Sequence, residues 1–423
     1  LKVMPSELST DFEFLRRVSL DLIGTLPTPK EIKHFVADTA EDKRERKIDE
    51  LLEHPAYVAW WTNRLCDLTG SNAGFLGGTE MASPVSLQWQ AWIERRVRDN
   101  VSWDKIASDL ITSTSRRPGQ TFRDFAKEQS GFTRRLNPKD YSAPGNPMPH
   151  YWYRDNIRIP SDKALSFGYI FMGLRLDCAQ CHKHPFDRWS QQDFELFTEF
   201  FTRIQTGLAP DAVHLHNEFR QSLGVPTKLD TAALRRQSYL RIAAEGRSIP
   251  WREVWVSPPG SKPQPAKLLG AGEIDLSKFD DPRQVLAQWL RTEPNRYLAK
   301  AFVNRIWSNY FGRGIINPTD DLNLANPASH PELIQYLIDE FVLHDYDMKW
   351  LHRTITSSRT YQLSWKPTKS NITDQRNYSH ATVRRLPAEV LIDAIQQATV
   401  SDMKLETFGG NVALRKVSQH PRS

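Results

Sequence analysis

Cysteine is scarce in this sequence, with three cysteines among 423 residues. Three thiols are too few for a disulfide framework, which excludes the small disulfide-stapled class of secreted protein. A chain of this length can bury two or three hydrophobic cores without such help. Cys66 lies beside Leu65 and Leu68 in a helical pattern and is expected to be a small buried side chain. Cys178 and Cys181 stand close together, and their spacing needs another explanation.

Long apolar runs are also missing. No stretch of about twenty apolar residues occurs, so we expect no transmembrane segment. No internal repeat or low-complexity tract is present, which excludes solenoid and fibrous architectures. The chain starts at Leu1 and has no charged-then-apolar leader, a pattern that is compatible with a signal peptide that has been removed.

Positive charge exceeds negative charge only slightly. The 56 Lys and Arg residues against 50 Asp and Glu residues give a formal charge of +6, spread along the chain. There is no zinc-finger spacing, no aromatic-basic RNA signature and no basic helix. We therefore expect no nucleic-acid partner. Aromatic residues are abundant, with 13 Trp, 12 Tyr and 20 Phe, and such side chains build cores and line haem or sugar pockets.

Helical periodicity dominates what is present. Through the first 115 residues, apolar positions recur at intervals of three and four, with helix starts predicted at Thr28, Ser86 and Ser102. Prolines and polar residues from about 116 to 160 predict a long loop or flap. From Asp281 onward the helical pattern returns.

These patterns predict a mainly α protein with two helical domains joined by a small β-containing connector. The predicted boundaries are 1–206 for the first helical domain, 207–280 for the irregular connector and 281–423 for the second helical domain. Short apolar runs separated by prolines indicate the strands of the connector.

The strongest motif is Cys178-Ala-Gln-Cys-His182. Two thiols at this spacing can add across the two vinyl groups of a haem, and the imidazole that follows can bind the iron. An apolar helix predicted from Ser161 to Leu176 runs into the motif. Ser190 with Asp193 predicts a capping box at the start of the next helix. The sequence thus predicts covalent haem c at Cys178 and Cys181, with His182 as an iron ligand.

Two other chemistries remain open for these residues. Cys178, Cys181, His182 and His184 could hold a structural Zn²⁺, although all four lie within seven residues and adjacent ligands strain a tetrahedral shell. A redox-active thiol pair is the other alternative. It is disfavoured because the predicted helix ends at the motif and so does not offer the helix N-terminus that lowers a thiol pKa.

A haem iron bound at His182 would have a sixth coordination position. The ligand in that position decides whether the haem transfers electrons or reacts with a bound molecule. Met148 and His150, in the predicted loop, are the preferred candidates for this position. The remaining candidates are Met172, His214 and His216.

Arginines near the motif suit the propionate groups of a haem, because a guanidinium can bind a carboxylate in bidentate fashion. Arg175 and Arg188 are the candidates, and pairing with Asp177 or Asp187 is the structural alternative. His184 suits a hydrogen bond that orients the site in the haem interpretation.

The stretch from Phe171 to Trp189 resembles the planctomycete cytochrome-c-like domain of unknown function, the PSCyt type, and the resemblance extends to 15–29. The segments 302–307, 310–314, 329–333 and 358–363 resemble the planctomycete-specific domain, the PSD type, that usually follows it. The region from about 116 to 150 departs from the pattern. The chain stops at Ser423, where such domains usually continue, so we expect a truncated C-terminal domain.

The resemblance implies a secreted or periplasmic bacterial protein with haem and no settled activity. The first functional hypothesis is therefore an exported c-type haem protein in electron transfer or redox chemistry, with a redox partner protein. The alternative is a zinc-stabilised protein without haem that binds or processes glycans, with a polysaccharide as partner. In that case Asp320 and Asp321 are candidate acid or calcium-binding groups, unless they only form a turn before Leu322. Whether the protein is an enzyme stays open.

Overall fold

A computed structural model describes residues 3–76, 82–225 and 232–399 of the protein. The fold is mainly α, as predicted. The helices are α1 Asp11–Ile23, α2 Pro29–Ala37, α3 Lys43–Glu53, α4 Pro55–Thr69, α5 Ala82–Arg98, α6 Trp103–Thr112, α7 Phe122–Gly131, α8 Pro160–Phe167, α9 Gln191–Thr202, α10 Val213–Ser222, α11 Ala232–Ala244, α12 Pro282–Thr292, α13 Tyr297–Phe311, α14 Pro331–Leu343, α15 Met348–Ser357, α16 Arg359–Gln362 and α17 Ala388–Thr399.

Two small antiparallel sheets accompany the helices in the described residues. The first pairs β1 Ile204–Gly207 with β2 Glu253–Val256, and the second pairs β3 Pro265–Lys267 with β4 Glu273–Asp275. The strands of the predicted connector are therefore present, but α10 and α11 lie there too and were not predicted. No helix in the described ranges is both long and apolar enough to cross a membrane.

The chain divides into two compact units. The described residues of Leu1–Arg64, Val97–Trp103 and Arg296–Arg422 form one, called the terminal unit below. Leu65–Arg96 and Asp104–Asn295 form the other, called the central unit. The predicted boundaries at 206/207 and 280/281 stay predictions, and residues 400–423 of the predicted last domain lie outside the described residues.

Local capping signals start the first helices of the terminal unit. Thr10 and Glu13 exchange hydrogen bonds of 2.9 and 3.3 Å at the start of α1. Thr28 caps α2 in the same way, as predicted. Each such box satisfies two backbone donors that a helix start leaves without partners. In the core of this unit, the ring of Phe302 stacks on Trp103 at 4.6 Å and on Phe341 at 5.6 Å.

Phenylalanine rings form the core of the central unit next to the cysteine motif. Phe167, at the end of α8, lies 5.3 Å from Phe171, 5.9 Å from Phe197 and 5.6 Å from Phe201, centroid to centroid. These four rings are fully buried. They join α8 to α9 and so hold the segment between the two helices on a rigid base.

The prediction of one long loop or flap at 116–160 is wrong in part, because only 132–148 lacks helix and strand over a long stretch. The segment 116–160 contains α7, capped by Thr121, and a 3₁₀ turn at Pro149–Tyr153. Phe122, Met148 and Trp152 are almost fully buried. The many polar residues around them masked an apolar face that only packing reveals.

Two predicted helix starts also need correction. Helix α5 begins at Ala82, before the predicted Ser86. Helix α8 begins with Pro160, and Ile159 precedes it without a side-chain cap, so Ser161 is not the cap. Proline suits the first helical position because its missing N–H would have no partner there.

Candidate functional site

Two backbone features, a π-helical turn and a left-handed glycine, end α8 before the cysteines. A π-helical turn at Gly168–Met172 extends α8, and Gly173 ends it in the left-handed conformation with φ of 64°. The N–H of Gly173 donates to the carbonyl of Gly168. The motif then lies on a separate 3₁₀ turn, Asp177–Gln180, and not at the end of the helix as predicted. Buried Leu176 and Ala179 anchor this turn.

Both thiols of the motif face solvent. Cys178 and Cys181 are exposed and unpaired, whereas Cys66 is buried, as predicted. The N–H groups of Cys181 and His182 lie 3.4 and 3.3 Å from the carbonyl oxygen of Cys178, so the turn is closed by its own backbone. His182 is exposed as well. Two accessible thiols and one accessible imidazole therefore share one short, anchored turn.

The ring of His182 has a defined tautomer. Its Nδ1 lies 2.7 Å from the carbonyl oxygen of Lys183. A carbonyl can only accept, so Nδ1 carries the proton and donates it. The other nitrogen, Nε2, then holds a lone pair that can bind a metal. A histidine ligand whose second N–H is held by a carbonyl is the usual arrangement in metal sites.

His184 has a different role, because it is buried and uses both ring nitrogens internally. Its Nδ1 accepts the N–H of Phe186 at 3.2 Å, which leaves the proton on Nε2. Nε2 then donates to the carbonyl of Arg175 at 3.0 Å. This imidazole ties the two ends of the loop around the motif together. A zinc ion could bind it only after one of these bonds is broken.

The structure does not present the preferred sixth ligands at an exposed surface. Met148 and Met172 are completely buried, so iron could reach either sulfur only if core contacts opened. His150 is buried, its Nε2 lies 3.1 Å from Oε1 of Gln88, and its ring stacks on Tyr141. Burial lowers the pKa of His150 to about 3, so its ring is neutral.

Two further histidines were candidates for the same position. His214 is exposed and its Nδ1 lies 3.3 Å from a carboxylate oxygen of Glu218. Burial and then the charge of Arg220 lower the pKa of His216 to about 4. Nothing in these contacts distinguishes a sixth ligand, and the identity of that ligand stays a prediction.

The two candidate arginines lie at the surface. Arg188 places its guanidinium over the ring of buried Trp189, 4.5 Å from the centroid. Asp187 accepts the backbone N–H of Arg188 at 2.7 Å. Arg175 is exposed, and its carbonyl is the acceptor of His184. Both side chains are accessible to an anionic group near the motif, and their role toward propionates stays a prediction.

The Asp320–Asp321 pair lies in a turn. Asp320 binds Nε of Arg305 at 2.5 Å. Asp321 accepts from the side chain of Asn323 at 2.8 Å, and its carbonyl accepts from Asn326. These contacts match the structural alternative for this pair. Throughout the described chain, no three His, Cys, Asp or Glu side chains are grouped so that they could hold a metal ion.

Sequence reasoning missed two parts of the site. The carbonyl of Lys183 orients His182, but a backbone acceptor leaves no signal in residue type. Gly173 turns the chain out of the helix, and its glycine five residues before Cys178 was a usable signal for a helix end.

Two family models match the chain. PSCyt2, described as a protein of unknown function (DUF1549), matches residues 1–206. PSD1, described as a protein of unknown function (DUF1553), matches residues 282–421. No curated protein and no solved structure matches. The order of the two domains is the one expected from the sequence motifs. The chain therefore carries a PSCyt2 domain followed by a PSD1 domain.

Proposed function

We propose that this protein is an exported c-type haem protein with a role in electron transfer or redox chemistry in a bacterial cell envelope. The proposal rests on the exposure and the hydrogen bonding of the Cys178–His182 motif. Cys178 and Cys181 are exposed and unpaired, and His182 keeps Nε2 available because Nδ1 donates to a backbone carbonyl.

The donor set fits haem better than zinc. Thioether attachment needs two accessible thiols, and iron ligation needs an imidazole; the turn supplies all three groups. A four-ligand zinc site needs His184 in addition, and His184 is held by Arg175 and Phe186. The exposed ring of Phe186, 60 % accessible, adds an apolar surface four residues beyond His182 that a porphyrin could cover.

In this proposal each residue has a separate task. Cys178 and Cys181 would hold the porphyrin, and Nε2 of His182 would bind the iron. The carbonyl of Lys183 fixes the orientation of that ring. His184 holds the loop in shape through its two hydrogen bonds. The bound haem would supply one-electron redox chemistry, with a potential set by its ligands and exposure.

Position at the surface favours exchange with a partner protein. Because Cys178 and Cys181 are exposed, a haem held there would be accessible to a partner protein for electron exchange. Export enters the proposal through the resemblance of the sequence motifs to the PSCyt and PSD types, which implies a secreted or periplasmic protein. The choice between electron transfer and catalysis depends on the sixth iron ligand.

The test uses protein exported in a bacterial host that attaches c-type haem. Wild-type protein and the Cys66→Ala variant should keep a haem stain on a denaturing gel and show reduced-minus-oxidised absorbance bands. The double variant Cys178→Ala/Cys181→Ala should lose the stain. Cys66→Ala is the matched control because it removes a thiol that is buried away from solvent.

A colourless wild-type protein whose two exposed thiols react fully with an alkylating reagent would overturn the proposal. A colourless protein that contains one equivalent of zinc, lost on His184→Ala substitution, would support the zinc alternative instead.

A further inference from the structure

A large cavity lies within the terminal unit. It has a volume of about 490 Å³ and is lined by residues of α1, α4, α13 and α16, together with Trp365, the segment 381–387 and Val390. This volume falls in the range of small-molecule sites. The lining contains none of the residues that concern haem or zinc.

Positive charge predominates in this lining. Arg16, Arg17, Arg64, Arg384 and Arg385 line the cavity together with two carboxylates, Glu13 and Asp21. Both carboxylates are already used: Asp21 accepts from Arg384 at 2.6 Å and from the hydroxyl of Tyr361 at 2.9 Å. Glu13 closes the capping box of α1. The lining therefore holds five guanidinium groups against two carboxylates, a net positive charge.

Arg17 and Arg384 are held in place by the protein. Arg17 donates to the carbonyl oxygens of Leu363, at 3.0 Å, and Tyr361. Arg384 binds Asp21 and the carbonyl of Asn309. These bonds fix part of the positive wall before any ligand enters, which lowers the entropic cost of binding.

Arg16 and Arg385 are different. Both are exposed, and neither makes a hydrogen bond or ion pair with another residue in the described part of the chain. Each offers a planar set of donors that matches a carboxylate, sulfate or phosphate group. Two guanidinium groups on one cavity, without protein acceptors, are well suited to an anionic ligand.

Aromatic side chains form much of the remaining wall. Trp60, Trp61, Tyr310 and Tyr361 are buried, and Trp365 is 50 % exposed. Ser308, Asn309 and Thr382 add hydroxyl and amide groups. Flat apolar faces combined with such polar groups suit a ring that carries hydroxyls.

We propose that this cavity binds a small acidic sugar, a ring compound that carries a carboxylate, sulfate or phosphate group, with Arg16 and Arg385 on the anion. The aromatic wall contacts the ring, and half-exposed Trp365 covers it from the solvent side. This site belongs to the terminal unit and Cys178 to the central unit, so the proposal is independent of haem.

Calorimetric titration of the full-length protein tests it. Glucuronate, glucose 6-sulfate and glucose 6-phosphate are the acidic probes, and glucose and inorganic sulfate are the comparisons. At least one acidic sugar should bind at least tenfold more tightly than glucose and than sulfate, and higher salt should weaken that binding. The acidic sugar that binds best identifies the anionic group.

Variants locate the binding site. Arg16→Gln and Arg385→Gln should each weaken binding about tenfold or more, because each removes a charge-assisted hydrogen bond. Trp365→Ala should weaken it as well. Arg376→Gln, an exposed arginine of the same unit outside the cavity lining, is the matched control and should bind as wild type does.

Three results would overturn the proposal: no binding of any acidic sugar, equal affinity for glucose or for free sulfate, or unchanged affinity in the Arg16→Gln/Arg385→Gln double variant. Circular dichroism of each variant separates lost binding from lost folding, and the replaced arginines are exposed.

Discussion

The hydroxyl oxygen of Tyr310 lies 2.7 Å from Nδ1 of His352 in the interior of the terminal unit. Burial lowers the pKa of His352 to about 3 and raises the pKa of Tyr310 well above its usual range. Both groups are therefore neutral at pH 7, and the hydrogen bond joins a neutral phenol to a neutral imidazole. The ring of Trp61 packs against His352 at 4.0 Å, centroid to centroid.

This pair makes stability depend on acidity. The folded pKa of His352 is below its unfolded value of 6.5, so protons bind the unfolded chain more readily, and stability falls as pH drops from about 6.5 toward 3. Between pH 7 and pH 5, the wild type should lose about 2 kcal/mol more unfolding free energy than the His352→Gln variant does, as measured by urea unfolding. Tyr310→Phe keeps the histidine and should keep the loss. Equal pH dependence in wild type and His352→Gln would contradict this account.

Substitution of the two histidines of the motif loop should change two different properties. The His184 variant should change the free energy of unfolding, and the His182 variant should change the visible spectrum. His184→Ala removes two internal hydrogen bonds and should lower the free energy of unfolding by about 1–3 kcal/mol, with haem still attached. His182→Ala removes an exposed ring and should leave stability within about 0.5 kcal/mol. Its reduced spectrum should change instead, because an iron ligand is lost. Urea unfolding and visible absorbance measure the two effects, and a destabilised His182→Ala with an unchanged spectrum would refute the assignment.

Gly173 should tolerate a side chain poorly. Its φ of 64° lies in the left-handed region, which costs other residues about 1–2 kcal/mol. Gly173→Ala should therefore lower the unfolding free energy by about that amount and reduce the yield of haem-stained protein, since the turn after α8 shifts. Gly260→Ala is the control because an added Cβ there meets no atom within 4 Å. Equal stability of Gly173→Ala and Gly260→Ala in thermal unfolding would show that position 173 accepts a side chain without cost.

Arg203, at the end of α9, binds four carbonyl oxygens. Its guanidinium donates to Ser257 at 2.8 Å, Leu276 at 3.3 Å, Phe279 at 2.8 Å and Asp280 at 2.6 Å. Arg203→Ala removes all four of these hydrogen bonds and should cost about 3 kcal/mol in urea unfolding.

A lysine at position 203 should recover only part of that loss, since an ammonium lacks the planar set of donors. Arg241→Ala is the matched control in the same unit, because that side chain is 79 % exposed and should change stability by less than about 0.5 kcal/mol. A fully stable Arg203→Ala would mean that water replaces the arginine.

Several elements could be predicted because their signals are local. The capping boxes at Thr28 and at Ser190 with Asp193 join residues three positions apart, so residue type and spacing are sufficient. The periodic helices after Asp281 follow from the same short-range rule. The Cys178–His182 motif is likewise contained in five consecutive residues.

Other features could not be predicted, because they depend on what packs against what. Helix α7 was hidden by polar neighbours until Phe122 and Phe125 were seen to be buried. The tautomer of His184 depends on the positions of Arg175 and Phe186, which sequence spacing does not provide.

The sequence by itself determined the helical class, the domain order and the presence of a thiol–thiol–imidazole motif, since each is encoded by neighbouring residues. Only the tertiary structure decided that the thiols are exposed, that His182 keeps one ring nitrogen available while His184 uses both, and that Arg16 and Arg385 line one cavity. The physical reason is that burial and long-range hydrogen bonds depend on contacts between residues far apart in the chain.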